Sequence, residues 1–109
     1  MKVFTTKAYE RAITKAATPS ERKAAEAAII ADPSKATAIR GSGGIRKARA
    51  AGSGRGKRGG LRVLYFHHVD GGALYLLTAY AKAERDDLTP ADRKAWAELV
   101  KAIKKEGHR

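Results

Sequence analysis

RVLYFHHVDGGALYLLTAY, residues 62–80, gathers four of the seven aromatic side chains of this protein together with Val63, Val69 and Thr78. Such side chains fit a pleated, half-buried surface. Residues 62–69 and 73–80 therefore read as two strands, and Asp70-Gly71-Gly72 between them reads as a hairpin turn. Toward the N-terminus, KVFT at 2–5 is a short β-prone run, and KAYERAITKAA follows with Ala8, Ala12 and Ala16 at helical spacing. Thr18, Pro19 and Glu21 start a second helix. Threonine caps it, proline sits where its missing N–H costs nothing, and glutamate can bond back. That helix runs to about Ala31, where Asp32-Pro33 stops it. Toward the C-terminus, Thr89, Pro90 and Asp92 repeat the capping logic, and Ala95, Trp96, Leu99, Val100 and Ile103 fall on one face of a last helix. Glycines around 41–44, 52–56 and 59–60 bracket two further extended runs. The expected order is β-α-α-β-β-β-α. It describes one α+β domain over residues 1–109, with a small antiparallel sheet, two N-terminal helices and one C-terminal helix. All the helices are expected on one sheet face and the basic loop on the other.

The 109 residues suffice for one core. Lys and Arg number 23 against 11 Asp and Glu, a net charge of +12, which points to a polyanionic partner and first of all to nucleic acid. The charge is concentrated. No acid occurs between Asp32 and Asp70, a stretch holding Lys35, Arg40, Arg46, Lys47, Arg49, Arg55, Lys57, Arg58 and Arg62. Cysteine is absent, which excludes disulfides, thiolate metal sites and a cysteine nucleophile and fits a reducing cytoplasm. The first residues lack the apolar run of a signal peptide, and no stretch approaches the ~20 apolar residues of a membrane span. A soluble, cytoplasmic protein with no membrane partner is expected. Alanine supplies much of the apolar fraction, so the core is built from small side chains and buries limited area per residue.

IRKARAA, residues 45–51, alternates basic and small residues. On a strand, Arg46 points to one face while Lys47 and Arg49 share the other. Cations on an exposed strand can serve solubility alone. The adjoining GSGRGKRGGLR, however, adds Arg55, Lys57, Arg58 and Arg62 among glycines that permit close backbone approach to an anion. No Walker or dinucleotide spacing is present. His67 and His68 are neighbours on a strand, so at most one faces the basic surface. They read either as an acid–base pair or as polar residues near a hairpin end. His108 lies in the tail, and the basic region has no acid to complete a metal site, so no metal and no cofactor are expected. Glu84, Asp86 and Asp87 precede the last helix and suit its positive end. Tyr80 and Lys82 leave the last strand near the loop, where the ring can be core or can stack a base.

GSGGIRKARAAGSGRGKRGGLRVLYF followed by YLLTAYAKAERDDLT resembles the HigB-type branch of the RelE/ParE toxin superfamily. Such toxins carry a GTGGLRKxR element, a GxGxxGGxR element, a hairpin ending in YxKxE and a following helix start. The likeness is close over about residues 41–90 and follows element order elsewhere. Ser42 and Ile45 stand where the family usually has Thr and Leu, and Ala48 and Ala50 replace larger strand residues.

The resemblance implies the toxin of a type II toxin–antitoxin pair, a metal-independent endoribonuclease that cuts mRNA in the ribosomal A site and inhibits translation. It also implies partners: the ribosome with its mRNA, and a cognate antitoxin, a helix-turn-helix DNA-binding protein of the HigA kind. By position in the motifs, Lys47 and Arg49 correspond to the basic strand pair, Arg62 to the arginine after the glycine pair, and Lys82 to the basic residue after the last strand. With Lys57 these are the catalytic candidates, and Arg46, Arg55, Arg58 and Tyr80 are the RNA-binding candidates. Lys47, Lys57 and Lys82 are the candidates to take a proton. The rival expectation is a non-catalytic binder of the same fold, either a ParE-like gyrase inhibitor or a ribosome-associated RNA-binding protein.

Overall fold

The computed structural model describes residues 1–52, 57–82 and 89–106, with residues 57–59 described by backbone alone. In chain order the elements are β1 (Lys2–Thr5), α1 (Lys7–Ala16), α2 (Pro19–Ala31), β2 (Thr37–Ala38), β3 (Ile45–Gly52), β4 (Lys57–His68), β5 (Ala73–Ala81) and α3 (Pro90–Glu106). The α+β class and the order hold, with the two-residue β2 as an addition. The strands form one sheet in the order β1-β5-β4-β3-β2.

Each helix start is fixed by a threonine. Thr6 Oγ1 accepts from Tyr9 N at 2.9 Å, ahead of α1. Thr18 and Glu21 form a reciprocal capping box on α2. Thr89 and Asp92 form another at α3, with Asp92 N donating to Thr89 Oγ1 and Thr89 N to the Asp92 carboxylate, both at 3.1 Å. With Pro90 carrying no N–H, two of the three orphan amides of that helix end are thereby satisfied. Between β4 and β5, Gly72 N donates to Val69 O at 3.1 Å and Gly72 takes φ +61°, the conformation the Asp70-Gly71-Gly72 turn needs.

Two expectations are corrected. The pairings among β2, β3, β4 and β5 are antiparallel, but β1 runs parallel to β5, so the sheet is mixed. No hairpin joins β1 to its neighbour, and without a tight turn nothing imposes the antiparallel direction. Nor do all the helices share a face. Leu61, Val63 and Tyr65 of β4 pack with Tyr9, Ile13, Ala25 and Ile29 of α1 and α2. Leu64 and Phe66 point the other way and pack with Val100 of α3 and, around it, Trp96, Leu99 and Ile103. The run LRVLYF is apolar on both sides of the pleat, and a strand of that kind must be covered on both sides.

α1 and α2 are pinned to one another by Arg22. Its guanidinium bonds Glu10 at 2.9 Å and Glu26 at 2.9 Å, while the buried Tyr9 hydroxyl donates to Glu26 at 2.6 Å. Burial, and then the Glu26 bond, pushes the Tyr9 phenol well above its usual range. Arg22 holds the Glu10 carboxyl below the ordinary carboxylate range.

The first glycine cluster is a structural turn. Ser42, fully buried at 0% exposure, donates from its hydroxyl to Ile39 O at 2.6 Å and accepts from Ile45 N at 3.0 Å, closing the bend between β2 and β3. Gly44 adopts φ +117°, and a Cβ there would lie 3.3 Å from the Phe66 ring. The positive φ and the nearness of the Phe66 ring both favour glycine at that position.

Candidate functional site

Register decides the site. In the β3–β4 pairing Lys47 lies opposite Leu64 and Arg49 opposite Arg62, and in the β4–β5 pairing Arg62 lies opposite Tyr80. Leu64 belongs to the α3-side core, so Lys47, Arg49, Arg62 and Tyr80 share that face of the sheet. Arg49, Arg62 and Tyr80 form a row across three strands at the end remote from the β4–β5 hairpin. Ile45 O accepts from Ile39 N, which turns the backbone groups of odd-numbered β3 residues outward toward β2. Arg49 and Arg62 are therefore a non-hydrogen-bonded pair, the kind in which facing side chains come closest. Like charges so placed repel, and an anion between them relieves the repulsion. Arg62 is 5% exposed, a depth that arginine almost never reaches without a structural or functional reason. One of its contacts is a 3.4 Å approach of Nη1 to Leu61 O.

The other candidates distribute as follows. Arg46 lies on the opposite face, half-buried, and donates from Nη1 to Ala36 O at 2.6 Å. Sequence alternation already separated it from Lys47 and Arg49, and the structure gives it the task of tying β3 to the segment after α2. Lys82 follows β5, is exposed, and donates from its backbone to Gly60 O at 2.7 Å, which brings it beside the start of β4. Tyr80 is buried in the α3-side core next to Arg62 and packs there as a core residue. Arg55 lies outside the described residues, as do the side chains of Lys57 and Arg58. Glu84, Asp86, Asp87 and His108 also lie outside them.

Of the two histidines, His68 is on the basic face and His67 is not. His68 stands six residues from Arg62 along β4, about 20 Å at the strand rise. It is buried at the hairpin end and stacked on Phe66 with ring centroids 5.9 Å apart. That distance separates it from the arginine row, so the polar-residue reading near the hairpin end fits its place. Among the described residues no cluster of three His, Asp or Glu is arranged to hold a metal ion. None of the described helices is long and apolar enough to cross a membrane.

Two cations that the sequence did not mark as site residues belong to the same surface. Arg93 of α3 and Arg40 after β2 line a groove of about 220 Å³ with Lys47, Thr37, Ala38 and Ile39. Nothing local in the sequence marks Arg93, because its neighbours across the groove lie more than forty residues away. Its helical spacing from Trp96, one turn on, is the only available signal. The surface therefore runs from Arg62 and Arg49 through Lys47 to Arg40 and Arg93, a stripe suited to a phosphate backbone.

A comparison with known protein families matches the chain to the family described as the RelE toxin of the RelE / RelB toxin-antitoxin system, over residues 1–108. That span takes in every element of the fold and the whole basic stripe. The chain therefore belongs to the RelE toxin family, as the toxin of a toxin–antitoxin system whose counterpart is a cognate antitoxin.

Proposed function

We propose that this toxin is an endoribonuclease that cuts mRNA on the ribosome, without a metal ion, and so blocks translation. One observation carries the reading: Arg62, nearly buried, directly faces Arg49 across the β3–β4 pairing, with Lys47 on the same face. Groups of this kind attract a phosphate and repel a metal ion. In RNA the 2′-hydroxyl can attack the adjacent phosphorus, the 5′-oxygen leaves, and the phosphorane formed between these events gains negative charge. Guanidinium groups fixed before the reaction stabilise that charge, by about 3–4 kcal/mol for each well-placed donor. Arg62 and Arg49 take this role. The 2′-proton passes to a base for which Lys47, Lys57 and Lys82 are the candidates. A ribosome that holds the mRNA in line offsets the weakness of a lysine base, because orientation alone is worth several kcal/mol. Arg55, Arg58, Arg40 and Arg93 hold flanking phosphates.

The proposed antitoxin is a small helix-turn-helix protein encoded beside the toxin gene. Primer extension on mRNA from cells expressing the toxin tests the activity. Expected are new 5′ ends within the codon occupying the ribosomal A site, lost when translation is blocked before initiation. Intact mRNA at lethal doses would leave the non-catalytic binder as the correct reading.

A further inference from the structure

β1 covers only part of its neighbour. It pairs with β5 from Ala73 to Leu76 and ends at Thr5, whereas β5 runs on to Ala81. The chain turns into α1 at Thr6, whose hydroxyl donates to Leu77 O at 2.7 Å, and among the described residues no strand follows the β5 edge beyond that point. A groove of about 480 Å³ lies there instead, between α1 and the end of β5. Ala8, Ala12 and Ala16 leave it unobstructed, Arg11 and Lys15 stand on its helix side, and Thr78 and Tyr80 belong to its sheet side. None of its described lining residues is acidic.

Arg11 and Lys15 sit one turn apart on one face of α1, with Cβ atoms about 5–6 Å apart. Both are exposed, and among the described residues neither has an ion-pair or hydrogen-bond partner. The neighbouring acid, Glu10, is held by Arg22. Two like charges one turn apart cost an isolated helix stability, and an anion in the groove reverses that sign. Tyr80 joins this groove to the arginine row, since it lies opposite Arg62 in the β4–β5 pairing and also lines the groove.

Resting on the ribonuclease reading, we propose that the RNA strand continues from the arginine row over the open end of β5, where Arg11 and Lys15 hold two of its phosphates. Cations then flank the row on both sides, Lys47, Arg40 and Arg93 toward β2 and Arg11 and Lys15 beyond β5. A phosphodiester strand suits this line better than an acidic peptide, because it carries a charge at every residue and is already anchored at Arg62.

The probe is a fluorescein-labelled twelve-nucleotide oligouridylate with every 2′-hydroxyl methylated, so that it cannot be cut. It is titrated onto the isolated toxin by fluorescence anisotropy over a range of salt. Arg11→Ala and Lys15→Ala should each lower the salt slope by about 0.7, one phosphate contact on a single strand, and together by about twice that. Lys23→Ala, at an exposed cation of α2 outside the groove, should leave the slope unchanged. Ala12→Glu should weaken binding about threefold or more while Ala12→Lys does not, which separates charge from obstruction. These positions lie on helices and receive good helix formers, so the fold is retained. Equal slopes for the parent, the combined Arg11→Ala and Lys15→Ala variant and Lys23→Ala overturn the proposal. Unchanged RNA binding with weakened binding to the purified antitoxin does so too, and assigns the groove to that protein. A toxin that shows these slopes yet leaves mRNA intact would refute cleavage alone, and one that cleaves with slopes indifferent to Arg11 and Lys15 would refute the strand's course alone.

Discussion

Arg62 and Arg46 stand on neighbouring strands with similar chemistry and opposite surroundings, and their substitution should separate function from stability. Arg62→Ala removes half of the facing arginine pair. We expect growth inhibition and mRNA cleavage to fall at least about a hundredfold, the scale of losing one preorganised charge donor, with antitoxin binding retained. A folded Arg62→Ala protein of full toxicity would show the site to be elsewhere. Arg46→Ala should do the reverse. It loses a charged hydrogen bond to Ala36 O, with an expected cost of about 1–3 kcal/mol in denaturant unfolding and cleavage unchanged per folded molecule. The division between these residues was legible in IRKARAA itself, since a strand alternates its faces. The partner opposite Arg49 was not, because no local pattern in a chain states the register between strands.

At the scale of elements, the helix starts were readable because capping is local: Thr18 and Glu21, like Thr89 and Asp92, are three residues apart and need no tertiary partner. The bond from α1 to α2 was not readable, since Arg22 reaches back twelve residues to Glu10. That bond gives a pH prediction. Arg22 lowers the folded-state pKa of Glu10, so the unfolded chain takes up this proton first as pH falls. The stabilisation is fully present above the ordinary glutamate value of about 4.3 and is lost as pH drops through the lowered folded value. Thermal melts of the parent and Glu10→Gln should differ at pH 7 and converge under acid. A constant difference down to pH 2 would mean that the pair does not contribute as described. The turn ahead of β3 gives a second prediction. Gly44→Ala must hold an alanine at φ +117° and press its Cβ toward the Phe66 ring. The expected loss is about 1–3 kcal/mol, seen as a fall of several degrees in Tm. The same substitution at Gly71 would push its Cβ to 2.7 Å from His68 Nδ1, so that glycine is set by packing, whereas at Gly44 conformation and packing act together.

Across the whole molecule the excess charge is a field with a focus. Lys47, Arg49, Arg62, Arg40 and Arg93 converge on one stripe, whereas Lys101, Lys104 and Lys105 lie along the far end of α3. Lys104 is already engaged, donating to Gly43 O at 2.9 Å and standing over the Phe66 ring. RNA affinity should fall linearly in log–log form with salt, by a slope of about 0.7 for each phosphate contact on a single strand. Arg93→Ala should reduce that slope by about one contact, and Lys105→Ala should leave it unchanged. Equal effects of the two substitutions in filter-binding titrations would mean that the charge acts diffusely, without a defined path.

The types of the main elements, the helix starts, the concentration of positive charge between Asp32 and Asp70, and the separation of Arg46 from Lys47 and Arg49 were determined by the sequence alone. Each depends on residues a few positions apart, where sterics, capping and strand alternation act directly. β2 and the start of β4 at Lys57, five residues before the expected Arg62, were not so determined. Tertiary structure decided the parallel placement of β1, the packing of α3 on the second face, the confrontation of Arg49 with Arg62 and the entry of Arg93 into the groove beside Lys47. Those depend on which distant segments bury one another's apolar side chains, and burial is a property of the assembled core that no local pattern encodes.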